Sequence, residues 1–142
     1  MDPIRIRSLL AGALGLMGLA MMAPMGEARA AEPQLSHAVF FTTKDRSPAG
    51  REKVLALCEK YLSGHRGTVS FTVGTIAEDV KEPVSDREFD VALIVVFEDK
   101  AMLAEYLKSP RHDKFVAEGK DLWAKVRVFD SYLPMPKVSA AR

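Results

Sequence analysis

Tyr106 and His112 are the residues of this chain whose types and spacing could serve acid–base chemistry. Both stand at a helix break: the amphipathic segment that contains Tyr106 stops at Ser109-Pro110, and His112 follows near the start of the next helical turn. The dipole at a helix start favours the neutral imidazole, which is the form that a general base needs. The pair therefore predicts a pocket that binds or deprotonates a carbonyl compound.

The same two residues also have a purely structural interpretation. Tyr106 lies on the apolar stripe of its helix, where a core tyrosine with a hydrogen-bonded hydroxyl is the usual case. His112 would then cap or pack the start of the following helix. Because Pro110 interrupts the helix, residue spacing alone does not decide between the two interpretations.

His37 is the third candidate for the pocket. It begins a strand rich in β-forming residues and could face the same pocket, although a histidine at a strand end is usually just half-exposed. His65 lies in a turn between two glycines, where we expect it to be solvated. The three histidines are widely scattered in sequence, and no cysteine or His-x-Glu-x-His cluster sets a coordination geometry, so no metal site is predicted. No phosphate loop or nucleophile elbow appears either, and no cofactor is predicted.

The first 30 residues differ in composition from the rest and are predicted to be a signal peptide. Arg5 and Arg7 precede an uncharged apolar run, Leu9 to Met25, and Ala28-Arg29-Ala30 forms a small-x-small cleavage site. We therefore expect cleavage after this site and export to the periplasm or the exterior. Because the apolar run is close to the length of a membrane helix, an uncleaved N-terminal anchor is the alternative.

The charge balance argues against several classes of partner. The 142-residue chain carries 20 Lys and Arg against 19 Asp and Glu, and removal of residues 1–30 leaves 17 of each. A mature net charge of zero offers no basic surface for nucleic acid or for anionic lipid. Cys58 is the only cysteine, so no internal disulfide is possible; at an apolar helix position it is expected to be a buried, inert thiol.

The remaining residues predict one α+β domain. A lead-in over residues 31–36 precedes the domain at 37–133, a charged loop crosses residues 77–88, and residues 134–142 form a flexible tail. The predicted elements are a strand at His37–Thr43, a helix from Ser47-Pro48 to Ser63, strands at Thr68–Thr75 and Phe89–Phe97, a helix at Asp99–Lys108 that restarts after Ser109-Pro110 and runs to Glu118, and a strand at Trp123–Tyr132. This βαββαβ order is that of a ferredoxin-like sandwich.

The third predicted strand is apolar on both faces, which predicts a homodimer. One face carries Phe89, Val91, Leu93, Val95 and Phe97, and the other carries Ala92, Ile94 and Val96. Helices on one side of a sheet cover a single face, so something else must cover the second. Packing two such sheets together gives a dimeric α/β barrel with an isologous interface.

With this arrangement the chain resembles the stress-responsive dimeric α/β-barrel (Dabb) family. The resemblance spans His37 to Leu133 and rests on an ordered set of short matches: His37, Val73-Gly74, Phe89-Asp90, Phe97, Tyr106, Pro110-Arg111-His112, Phe115 and Phe129-Asp130. It implies a ferredoxin-like homodimer, in agreement with the apolar character of both strand faces.

The resemblance also implies a catalytic hypothesis. One branch of the family, typified by olivetolic acid cyclase, catalyses an intramolecular aldol condensation, and its catalytic tyrosine and histidine correspond to Tyr106 and His112. A pocket histidine of that branch corresponds to His37. The chain departs from the branch at Ser109, where the cyclase has a histidine. It also departs in its export signal, because acyl-thioester polyketides are intracellular.

Three functions follow as expectations. The first is an exported homodimer that binds a small, largely apolar molecule in its barrel pocket without chemistry, through His37, Tyr106 and His112. The second is a cyclase- or lyase-like enzyme in which Tyr106 and His112 abstract a proton next to a carbonyl. The third is a structural stress-response protein without a ligand. A cavity lined by the Tyr–His pair would favour the second, and a filled barrel the third.

Overall fold

The computed structural model describes residues 32–134. This part of the chain forms four strands, which contain alternating apolar residues, and three helices, each capped by a side chain. The elements are β1 (Leu35–Thr43), α1 (Pro48–Leu62), β2 (Thr68–Thr75), β3 (Val91–Phe97), α2 (Lys100–Leu107), α3 (Pro110–Gly119) and β4 (Trp123–Tyr132). The predicted signal peptide and all but the first residue of the predicted tail lie outside the described residues. None of the helices within residues 32–134 has the length and apolarity needed to span a membrane.

The four strands form one antiparallel sheet in the order β2-β3-β1-β4, with the helices packed against one face. The predicted ferredoxin-like α+β fold is therefore confirmed. The second helical segment is divided at Ser109-Pro110, as predicted. Strand β1 begins at Leu35 instead of His37, because its pairing with both neighbouring strands extends back to that residue.

Each helix begins at a polar side chain that accepts a hydrogen bond from the backbone N–H three residues further on, which satisfies one of the free donors of the first turn. The caps are Ser47 for α1, Asp99 for α2 and Ser109 for α3. At the other end of α1, Gly64 takes a positive φ of 65°, a conformation that glycine adopts readily. Arg111 of α3 donates to the carbonyl of Ser63 at 2.8 Å, which fixes α3 against the end of α1.

The core lies between the helices and one face of the sheet. Val54, Cys58 and Leu62 of α1 pack there against sheet residues such as Phe41 and Leu93, all of them buried. Burial raises the pKa of the Cys58 thiol to about 12, because the thiolate would lose its hydration. The prediction of a buried thiol at this position is confirmed.

The other face of the sheet has no helix on it. Ile94 is 40% exposed and belongs to this face, as predicted, and Phe129 of β4, which is 55% exposed, lies on the same face. Phe40 of the intervening strand β1 contacts Phe129 edge to face, with ring centroids 5.8 Å apart. The residues of this side that face solvent, Phe40, Ala92, Ile94, Val96 and Phe129, are called the open face below.

Phe89 lies on the open side of the sheet, and the prediction that it shares a face with Val91 was wrong. It contacts Phe40 of the open face, with ring centroids 5.1 Å apart. The regular alternation fails because Asp90 and Val91 are both buried and β3 begins only at Val91.

Asp90 is a fully buried carboxylate that ties the start of β3 to the end of β1. It accepts hydrogen bonds from the N–H of Thr43 (2.9 Å), Nε of Arg46 (3.1 Å) and Nε of Arg51 (3.3 Å). Burial alone would raise the pKa of Asp90, but these donors outweigh it and the pKa is lowered. Arg51 also pairs with Glu78 at 2.7 Å, so the same cluster anchors the loop over residues 77–88.

Two irregularities in strand pairing reposition single residues. A register shift at the start of β2, between Thr68 and Ser70, leaves Val69 49% exposed, whereas Phe71 and Val73 pack against the core. A shift at the start of β4 pairs Trp123 with Thr43 and turns its ring toward the helices. A bulge of this kind changes which face a side chain occupies.

Candidate functional site

A cavity of about 320 Å³ lies between the helices and strands β1, β3 and β4. Its walls are largely apolar, and four of its lining residues, Leu107, Val116, Val126 and Val128, are themselves exposed. The full lining is His37, Val39, Phe41, Leu62, Leu93, Tyr106, Leu107, His112, Phe115, Val116, Trp123, Val126 and Val128. The cavity therefore opens through an apolar rim at the β4 edge of the sheet, and few of its side chains can hydrogen-bond.

The three residues predicted from the sequence all line this cavity. The ring of Tyr106 lies edge-on to that of His37, with centroids 5.9 Å apart, and to that of His112, with centroids 5.1 Å apart. His37 comes from β1, Tyr106 from the last turn of α2 and His112 from the first turn of α3. The fold thus brings together groups that are separated by up to 75 positions in the sequence.

His65 lies beside these residues without lining the cavity, and it is half-buried, so the expectation that it is solvated was wrong. Its ring lies 4.9 Å from that of Tyr106, centroid to centroid, and one of its nitrogens, Nε2, is 2.8 Å from the carbonyl of Tyr61. Because a carbonyl can only accept, Nε2 must carry the proton. Gly64 and Gly67, both with positive φ, fold the turn back so that His65 reaches Tyr106.

Ser109 connects the two helices that carry Tyr106 and His112. Its hydroxyl donates to the carbonyl of Tyr106 at 2.8 Å, and the same oxygen accepts the N–H of His112 at 3.2 Å. One side chain thereby satisfies a free N–H at the start of α3 and adds a second hydrogen bond to the Tyr106 carbonyl, which also accepts the N–H of Ser109 at 3.1 Å. Ser109, at which the chain differs from the cyclase branch, thus fixes the geometry of the break between α2 and α3.

His37 is oriented by a carboxylate. Its Nδ1 lies 2.7 Å from Oδ1 of Asp130, and the two residues are opposite one another in the β1–β4 pairing. Because a carboxylate can only accept, Nδ1–H donates and the lone pair of a neutral His37 resides on Nε2. His37 is 5% exposed, whereas the Asp130 side chain is 48% exposed and lines a surface cleft.

The surroundings of the cavity keep its polar groups neutral. Burial lowers the pKa of His112, the positive charges that His37 and His65 can carry lower it further, and Asp113 opposes this only in part. Burial likewise raises the pKa of Tyr106, and the proximity of Cys58 adds to the effect. At neutral pH the cavity therefore presents an unprotonated imidazole next to a protonated phenol.

The Tyr106 hydroxyl has no hydrogen-bond partner among residues 32–134, and Tyr106 is one of the residues that line the cavity. A neutral imidazole that can take a proton, beside a phenol that can donate a hydrogen bond, suits proton abstraction next to a carbonyl. No group of three His, Cys, Asp or Glu within the described residues is arranged to hold a metal ion.

Sequence reasoning missed the contributions of Asp130, His65 and Trp123. Asp130 was noted only as part of the resemblance to the family, without a role in the site. Its position opposite His37 follows from the strand order of the sheet, which residue patterns do not give. The glycines around His65 were a usable signal for a tight turn, but not for its direction. Trp123 required knowledge of the bulge at the start of β4.

The sequence matches a known family over most of its described length. The family model for the stress responsive A/B barrel domain (Dabb) matches residues 35–133. No curated protein matches the chain. The family match covers every residue of the cavity lining.

Solved structures share the fold. A Dabb family protein with a ferredoxin-like fold from Mesorhizobium loti is 25% identical, with a TM-score of 0.60 over 73% of this chain and 99% of the other. A dimeric ferredoxin-like protein of unknown function from Thermobifida fusca is 16% identical, with a TM-score of 0.59 over 72% and 92%. The hydroxynitrile lyase from Passiflora edulis is 21% identical, with a TM-score of 0.58 over 72% and 94%.

Proposed function

The chain belongs to the stress responsive A/B barrel domain (Dabb) family, and we propose that it binds a small carbonyl compound in its cavity and abstracts a proton next to the carbonyl. One observation carries this proposal: Tyr106 and His112 line the same cavity, with ring centroids 5.1 Å apart. A shared cavity is the minimum geometric condition for a base and a hydrogen-bond donor to act on one substrate. The hydroxynitrile lyase with this fold indicates that the fold supports catalysis.

In the proposed reaction the substrate carbonyl oxygen accepts a hydrogen bond from the Tyr106 hydroxyl. Neutral His112 takes the proton from the adjacent carbon, and the electrons of the broken C–H bond form the enolate. The hydroxyl then stabilises the negative charge on oxygen, in surroundings where water screens it little. His37, held by Asp130, offers Nε2 as a second polar contact for the bound molecule.

Deuterium exchange tests proton abstraction without knowledge of the final product. Small molecules retained by the purified protein would first be identified by mass spectrometry. The captured carbonyl compound, or phenylacetone as a probe, would then be incubated with the protein in D₂O and its proton signals followed by NMR. We expect His112→Ala to slow exchange by about 100- to 10,000-fold, the usual contribution of a general base.

Tyr106→Phe is the companion variant, because it removes the hydroxyl and keeps the ring packing. We expect it to reduce exchange while the melting temperature stays close to that of the wild type. Val84→Ser serves as the control, since Val84 is exposed in the loop over residues 77–88. Equal exchange rates in the wild type and His112→Ala would contradict the proposed chemistry.

Binding without turnover is the second candidate function, and the largely apolar cavity wall favours it. In that case Tyr106 and His112 orient the ligand but transfer no proton. Calorimetry would then show binding of the captured molecule, while its deuterium exchange would proceed at the rate of buffer alone. The cavity of about 320 Å³ argues against the third function, a filled barrel with no ligand.

We propose further that the protein is an exported homodimer in which the open faces of two subunits pack together. The exposed apolar residues of the open face and the dimeric protein of the same fold from Thermobifida fusca support the dimer. The basic and apolar character of residues 1–30 supports export. N-terminal sequencing of the mature protein tests export: a chain beginning at Ala31 is expected, and an intact Met1 in a soluble cytosolic fraction would contradict it.

A further inference from the structure

The cavity has a polar end and an aromatic end. His37, His112 and Tyr106 form the polar end. Trp123 lies at the other, where its ring stacks on Phe115 with centroids 5.3 Å apart and contacts Phe41 at 5.2 Å. Phe115 in turn lies between Trp123 and His112, whose ring is 6.2 Å from its own. A ligand whose carbonyl meets the polar end can therefore extend its apolar part along Phe115 toward Trp123.

Gly119 holds the Trp123 ring in this place. Gly119 is buried at the end of α3, and a Cβ added to it would lie 2.5 Å from Cη2 of Trp123 and closer still to Cζ3. Carbon atoms in contact are separated by about 3.5–4.0 Å, so any side chain at this position would displace the ring. The position of the Trp123 ring relative to the cavity thus depends on the absence of a side chain at Gly119.

We propose that Trp123, seated against Gly119, is the specificity-determining wall that limits the length of the ligand's apolar tail. This inference rests on the proposed function, because it assumes that the carbonyl lies at the polar end. A volume of about 320 Å³ lies at the lower end of the range for small-molecule sites. The ligand class is accordingly a carbonyl compound with one short apolar tail, aliphatic or a single aromatic ring.

The tail limit is measurable with a homologous series of straight-chain methyl ketones as probes. Trp123 is the only tryptophan of the chain and lines the cavity, so its fluorescence reports occupancy in the wild type. Calorimetry measures the same affinities in variants that lack the indole. Each added methylene should raise affinity about fourfold until the tail reaches Trp123, after which affinity should fall.

Two substitutions should move this limit in opposite directions. Trp123→Leu replaces the indole with a smaller side chain and so lengthens the space for the tail. Ketones with tails two carbons longer than the wild-type limit should bind this variant roughly tenfold more tightly than they bind the wild type. Gly119→Ala displaces the ring toward the cavity and should move the limit to shorter tails. The Val84→Ser control should leave the series unchanged, and circular dichroism would verify that each variant is folded.

The outcomes separate this inference from the proposed function. An unchanged tail limit in folded Trp123→Leu, or in Gly119→Ala if the first variant does not fold, overturns the role of Trp123 while the proposed chemistry stands. If the variants shift the tail limit but the wild type catalyses no deuterium exchange, the role of Trp123 is supported and the proposed proton abstraction is contradicted. If no methyl ketone binds the wild type, both proposals are overturned.

Discussion

Tyr106 and His112 lie with their rings 5.1 Å apart although a helix break separates them. Ser109 bonds to the backbone of both residues and so couples the end of α2 to the start of α3. The break is therefore part of the site, since an uninterrupted helix would point these side chains in directions set by a regular 100° rotation per residue. The geometry of the candidate site consequently depends on a residue that does not line the cavity.

Replacement of Ser109 by Ala should weaken both stability and function. The loss of an N-cap typically costs about 1 kcal/mol, and the freed helix ends should widen the distribution of Tyr106–His112 geometries. We expect urea unfolding to show that loss, together with a reduced rate of deuterium exchange. Ser47→Ala is a matched control, because Ser47 caps α1 in front of a proline in the same way and lies outside the cavity lining. Equal effects of the two variants on exchange would contradict a special role for Ser109.

The lowered pKa of His112 predicts a pH dependence of stability. As the pH falls below about 6.5, the ordinary value, the unfolded chain protonates this residue before the folded chain does. The free energy of unfolding should therefore fall with pH in this range, until the lower pKa of the folded state is reached. His112→Gln should remove this part of the dependence, measured as the difference between urea titrations of the two proteins. An NMR titration midpoint above 6.5 for His112 would contradict the prediction.

Asp90 should be among the most sensitive positions of the fold. Asp90→Asn removes a buried charge that faces Arg46 and Arg51, and the loss of one partner from a buried pair costs roughly 3 kcal/mol. Asp86→Asn is the control, because Asp86 makes an exposed pair with Arg127 and should change stability little. The lowered pKa of Asp90 adds an acid dependence: its stabilisation is present above its ordinary pKa and is lost as the pH falls below that value. Similar melting temperatures for the two variants would count against this assignment.

Ile94→Glu should disrupt the proposed dimer. Ile94 lies at the centre of the open face, so the substitution would place an unpaired carboxylate in the interface. Light scattering should show a monomer or aggregated material for this variant and a dimer for the wild type. Val84→Glu adds the same charge to an exposed loop and should remain dimeric. A monomeric wild type at micromolar concentration would contradict the proposal.

Local sequence signals were sufficient for the helix starts and for most strand faces. The predicted helix starts at Ser47, Asp99 and Ser109 are confirmed, because a helix start depends on residues within one turn. Phe89 was placed on the wrong face because Asp90, adjacent to a buried valine, breaks the alternation on which the prediction depended. The core-facing pattern of β3 beyond that point was predicted correctly.

The site was only partly predictable, since its geometry depends on contacts between distant segments. Tyr106, His112 and His37 were identified from residue type and family resemblance. Asp130 pairs with His37 only because β1 and β4 are neighbours in the sheet, a fact that alternation within each strand does not contain. His65 reaches Tyr106 because two positive φ angles redirect its turn, and a glycine in a sequence permits such an angle without requiring it.

The burial of Cys58 has a practical consequence for labelling. Its thiol is inaccessible and its pKa is raised to about 12, so at neutral pH the reactive thiolate is scarce and alkylating reagents have little access to it. A second cysteine introduced at an exposed site, such as Val84 in the loop over residues 77–88, would then be modified selectively. Spin labels or fluorophores can therefore be attached at chosen positions on the protein without first replacing its native cysteine.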